Sequence, residues 1–92
     1  MEFEWDDAKA RINLRVYGVT FESAGTAYRD ADAIEFEDDR DDYGENRMSL
    51  IGLARNGEVL FVVITKRSER VRIISARRAT RREQEHYFRQ TG

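Results

Sequence analysis

Four arginines fall within the six residues Arg77-Arg78-Ala79-Thr80-Arg81-Arg82, and Glu83 closes the run. Arginine is the side chain best matched to phosphate, because its planar fork donates two parallel hydrogen bonds and its face stacks on bases. Thr80 and Glu83 have the spacing of a capping box, which predicts a helix beginning at Thr80. Arg81 and Arg82 then occupy its first turn, where the positive end of the helix dipole disfavours a cation by roughly 0.3–1 kcal/mol. Such local violations are expected at functional sites, and a helix N-terminus flanked by arginines can cradle a phosphate. The plainer reading is that these cations pair with carboxylates elsewhere in an acid-rich chain.

Charge distribution favours a polyanion-facing surface. The net charge of −2 conceals 5 basic and 14 acidic side chains in residues 1–46 against 11 basic and 4 acidic in residues 47–92. Ten of those eleven cations are arginine, and asymmetry between halves suggests a nucleic-acid-facing side. Lys66, Arg67 and Arg70 fall in a charged turn and, with Arg82, are candidate phosphate-backbone contacts. The absence of Cys excludes disulfides, a thiol nucleophile and cysteine-based metal sites, and suits a reducing cytoplasm. Asp38, Asp39, Asp41, Asp42 and Glu45 lack the alternating spacing of a calcium loop, so they predict a flexible acidic loop and no metal. The start MEFEWDDAKA lacks the features of a signal peptide, and no apolar run approaches the ~20 residues that span a bilayer. The expectation is one cytoplasmic domain over residues 1–92, with no membrane partner and no cofactor.

These side chains need elements to position them. Residues 1–5 alternate Glu2 and Glu4 with Phe3 and Trp5, a short strand. Asp6 can cap a helix through Ala8, Ile12 and Val16 that ends at Gly18, and Thr20 can cap a second through Phe21, Ala24 and Tyr28. Residues 33–37 and 47–54 read as strands. Asn56-Gly57 is a hairpin signal, and placing Arg55 opposite Glu58 sets Leu53 against Leu60, Ile51 against Val62, and Gly52 beneath the ring of Phe61. Residues 59–64 form a six-residue apolar run, read as a sheet centre covered on both faces. Residues 66–70 turn the chain into a strand over 71–76, and a final helix runs from Arg81 to about Gln90, anchored by Tyr87 and Phe88. The order predicts an α+β domain, an antiparallel sheet with two N-terminal helices and one C-terminal helix laid on one sheet face.

The segments FEWDDAKARINL, GVTFESA and RIISARRATRRE resemble the BrnT family of bacterial toxins from type II toxin–antitoxin pairs, in the right order and over nearly the whole chain. The resemblance implies a RelE/ParE-like fold and a ribonuclease that arrests translation. It also implies neutralisation by a small ribbon-helix-helix antitoxin of the BrnA type, in a hetero-oligomer that meets operator DNA only through the antitoxin. One departure is notable: where such sequences commonly read Lys-His-Gly, this chain reads Val16-Tyr17-Gly18.

Metal-free RNA cleavage needs a base for the 2′-hydroxyl, a stabiliser for charge on the phosphorane and an acid for the departing 5′-oxygen. Arginine serves only the second role, because it stays protonated. Lys9, Tyr17, Glu83, His86 and Tyr87 are the candidates for proton transfer, with His86 also readable as a surface residue and Tyr87 as a core anchor. The expected catalytic set is Lys9, Tyr17, Arg72, Arg77, Arg78 and Arg81, with the arginines converging on one anion. A non-catalytic nucleic-acid-binding module, or a subunit whose arginines bind only an acidic antitoxin, would need the same cations.

Overall fold

The structure, a computed structural model, describes residues 2–37 and 47–91. The acidic stretch read as a loop, residues 38–46, lies outside the described residues. The elements are β1 (Phe3–Glu4), α1 (Asp7–Tyr17), α2 (Phe21–Tyr28), β2 (Ile34–Glu37), β3 (Arg47–Leu53), β4 (Val59–Arg67), β5 (Arg70–Arg78) and α3 (Arg81–Thr91). The strands form one sheet in the order β1-β5-β4-β3-β2.

Local chemistry accounts for the helix ends. The Asp6 carboxylate accepts the Lys9 N–H at 3.0 Å, and that bond holds its carboxyl below the usual carboxylate range. Gly18 closes α1 at φ 70°, donating its N–H to the Leu14 carbonyl at 2.8 Å, a left-handed cap that glycine adopts without strain. Thr20 Oγ1 accepts the Ser23 N–H at 3.0 Å to open α2.

The sheet differs from expectation in three respects. First, β1 runs parallel to β5, pairing Phe3 with Val71 and Glu4 with Arg72, so the sheet is not wholly antiparallel. A parallel pair needs a long crossover, and everything between β1 and β5 supplies it. Second, the helices divide between the two faces. Leu50, Leu60, Val62 and Ile64 pack with Val19, Phe21, Ala24 and Ala27 in one core, whereas Ile51, Val59 and Phe61 meet Ala79 and Tyr87 in another. The apolar run of β4 needs cover on both sides, and α3 provides the second.

Third, the hairpin register is shifted by one residue, pairing Gly52 with Leu60, Ile51 with Phe61 and Leu53 with Val59. The Ala54 carbonyl accepts the Gly57 N–H at 2.9 Å, and the Ala54 N–H donates to the Glu58 carbonyl at 2.8 Å. Ala54 and Glu58 therefore close a three-residue loop in which Gly57 has φ 93° and Asn56 has no positive φ. That is the geometry of a turn ending in a glycine bulge, where the two-residue Asn-Gly turn would need both residues at positive φ. A one-residue slip exchanges the faces of a strand, and Gly52 consequently lies under α2: a Cβ there would stand 2.4 Å from the Ala27 carbonyl oxygen. The next turn is tighter than expected, with Arg67 paired to Arg70, so Lys66, Arg67 and Arg70 lie on strands.

Candidate active site

Beyond its two residues, β1 leaves the edge of β5 uncovered, and α1 takes its place. Asn13 is buried there. Its Nδ2 donates to the Ala76 carbonyl at 2.8 Å and the Val19 carbonyl at 3.0 Å, and its Oδ1 accepts the Ala76 N–H at 3.1 Å. One side-chain amide thus pairs with both backbone groups of Ala76 as a neighbouring strand would, which fixes the height of α1 along β5.

That anchorage places Tyr17, at the end of α1, between two recesses. One, of about 270 Å³, is lined by Tyr17, Phe61, Val63, Ser75, Ala76 and Arg77. The other, of about 250 Å³, is lined by Lys9, Ile12, Asn13, Val16, Tyr17, Ile74 and Ser75. Tyr17 and Ser75 belong to both, so they form a shared wall. Tyr17 is 46% exposed. Among the sequence candidates, Lys9, Tyr17 and Arg77 are therefore brought together along one groove.

The remaining arginines do not converge there. Arg77 donates from Nη1 and Nη2 to the Glu83 carboxylate at 2.8 and 3.0 Å, and from Nη1 to the Arg78 carbonyl at 3.2 Å. Arg72 meets Glu4 at 3.0 Å, Arg78 holds Glu58 and reaches the Tyr17 carbonyl at 3.4 Å, and Arg81, with its side chain 95% exposed, lies 3.7 Å from Glu85. Four cations with four separate carboxylates make no single anion clamp. Lys66 is exposed beside Glu35 at 3.7 Å, and Arg67, Arg70 and Arg82 are exposed outside both recesses.

The capping box is present: Glu83 accepts the Thr80 N–H at 2.8 Å and donates its own N–H to Thr80 Oγ1 at 3.2 Å. The start of α3 is thereby supplied with an anion, Glu83 itself, where a phosphate cradle would need an unoccupied end. The Arg77 bond lowers the Glu83 carboxyl below its ordinary range, against the opposing effect of burial. Glu83 likewise raises the Arg77 pKa further, so neither partner is suited to shuttle protons near neutrality.

Two other proton-transfer candidates lie elsewhere. His86 stacks on Phe36, ring centroids 6.2 Å apart, and lines neither recess. Tyr87 is buried and donates its hydroxyl to Asp30; burial and that bond raise its pKa, making it an anchor for α3. Ser75 and Phe61 were not among the sequence candidates for the site. Ser75 lies within the RIISARRATRRE segment, but its place in the groove depends on the pairing of β4 and β5, which no local pattern encodes.

A family model described as the ribonuclease toxin BrnT of type II toxin–antitoxin systems matches residues 5–83. The fold is similar to that of the Brucella abortus ribonuclease toxin BrnT, known from a crystal structure, with a TM-score of 0.69 and 21% sequence identity over 88% of this chain and 99% of that one. At that identity the structural likeness concerns the fold alone. Comparison with curated proteins gives no match.

Proposed function

The chain belongs to the BrnT family of ribonuclease toxins of type II toxin–antitoxin systems, and we propose on that basis that it cuts RNA at the groove between α1 and β5. The observation that carries this placement is the shared wall of Tyr17 and Ser75 with Arg77 on one side and Lys9 on the other. The scissile phosphate lies over that wall. The 2′-oxygen attacks phosphorus while the bond to the 5′-oxygen breaks, leaving a 2′,3′-cyclic phosphate and a 5′-hydroxyl without a metal ion. Tyr17 and Lys9 carry the proton transfers, and Arg77 stabilises the phosphorane charge. Glu83 and the Arg78 carbonyl engage three of the five Arg77 N–H donors, and the Nε–H and one Nη2–H share an edge that fits one bidentate phosphate contact.

Arg78 acts by positioning, since it ties the end of α1 to Glu58. Arg72 holds β1, and Arg81, Arg82, Lys66, Arg67 and Arg70 meet flanking phosphates. The fold is RelE/ParE-like, the toxin acts in the cytoplasm, and a ribbon-helix-helix antitoxin of the BrnA type neutralises it and carries it to operator DNA. Among the described residues no helix is long and apolar enough to cross a membrane.

Expression without the antitoxin should arrest translation with cut RNA in the cell, and Arg77→Ala should relieve the arrest at equal protein level. Unimpaired growth with abundant folded wild-type protein would overturn the reading. A second reading, an RNA-binding or antitoxin-binding subunit without catalysis, is favoured by one observation: the sole histidine stands away from the groove, on Phe36.

A further inference from the structure

Three residues with planar side chains, Tyr17, Phe61 and Arg77, line the recess beside Arg77. The Arg77 guanidinium lies over the Phe61 ring, its central carbon 4.2 Å from the centroid, and the Glu83 fork fixes the orientation of that plane. Its side chain remains 35% exposed, and Arg77 lines the recess together with Tyr17. At about 270 Å³ the space is smaller than the roughly 300–1,000 Å³ of sites that enclose a drug-sized ligand, so it suits one part of a nucleotide. Ser75 adds a hydroxyl that bonds nothing among the described residues. Because Glu83 offsets the charge of Arg77, the feature that most distinguishes this wall is its flat, supported surface.

We propose that this recess is a nucleobase subsite: an unpaired base of single-stranded RNA enters between Tyr17 and the Arg77–Phe61 stack, with Ser75 meeting its edge. Aromatic rings and guanidinium planes are the usual platforms for splayed RNA bases. The subsite rests on the ribonuclease reading and deepens it, since it assigns a base next to the cut phosphate and requires an unpaired substrate.

The test uses uncleavable 2′-fluoro RNA oligomers, intact or with one nucleotide at a time made abasic, titrated against purified antitoxin-free protein by fluorescence anisotropy. Loss of the base at one position should weaken wild-type binding roughly five-fold or more, as for a stacked base. Arg77→Lys keeps the charge and loses the plane, so it should bind the intact and abasic oligomers equally, the loss of its bidentate phosphate contact weakening both alike. Phe61→Leu removes the support without touching the guanidinium and should lose the same preference, which keeps the test available if Arg77→Lys fails to fold. Arg77→Lys and Phe61→Leu that both keep the wild-type preference for the intact oligomer would leave Arg77 a phosphate contact alone and overturn the subsite. Wild-type binding indifferent to every base would do so as well, leaving the ribonuclease reading intact. Failure of the wild type to bind any RNA, while it still binds its antitoxin, would instead sink the ribonuclease reading and the subsite with it.

Discussion

At Arg77 the guanidinium is fixed by Glu83 at its fork and by Phe61 at its face, and at Asn13 one amide closes the edge of β5. The two residues define the groove from either side. Asn13→Ala would leave the Ala76 N–H and carbonyl without their partner, at about 1–3 kcal/mol for each buried group. Asn13→Asp should be worse at neutral pH, since a carboxylate oxygen would face the carbonyls of Ala76 and Val19. Urea unfolding of both variants measures this, and the order Ala milder than Asp is the expected outcome. Glu83 supplies a pH signature. Its folded pKa is lowered, first by the Arg77 bond, so the stability it contributes is present above its ordinary value of 4.5 and is lost as pH falls through the lowered value. Glu83→Gln should be less stable at pH 7 by about 1–2 kcal/mol and should flatten the acid limb of stability against pH in urea titrations.

Among the elements, β3 and α2 make the closest backbone approach at Gly52. Gly52→Ala would press a methyl against the Ala27 carbonyl, and a cost of about 2 kcal/mol or more is expected for such overpacking. Thermal unfolding indistinguishable from wild type would mean that α2 does not lie there. The same glycine illustrates what the sequence discloses. All three helix starts were legible, because each cap joins residues three apart: Asp6 to Lys9, Thr20 to Ser23, Thr80 to Glu83. The register was not, because Asn-Gly serves both a two-residue turn and a three-residue loop, and the packing of α2 on Gly52 favours the latter. Nor could spacing reveal how the arginines divide. Arg78 finds Glu58 twenty residues away and Arg72 finds Glu4 sixty-eight away, contacts that exist only once the sheet has formed.

For the molecule as a whole, the basic half folds into β3, β4, β5 and α3 and the acidic half contributes α1, α2, β1 and β2. The groove lies on the seam, taking Tyr17 and Lys9 from one half and Ser75 and Arg77 from the other. The central claim is that RNA is cut on that seam. It is tested most directly by digesting RNA with purified antitoxin-free protein in EDTA, identifying the ends and comparing wild type with Tyr17→Ala and His86→Ala. The expected result is cleavage leaving 2′,3′-cyclic phosphates, slowed on the order of 10²-fold or more by Tyr17→Ala and unchanged by His86→Ala. Undiminished cutting by Tyr17→Ala together with loss of cutting by His86→Ala would contradict it and move the chemistry to His86, where α3 meets Phe36 of β2.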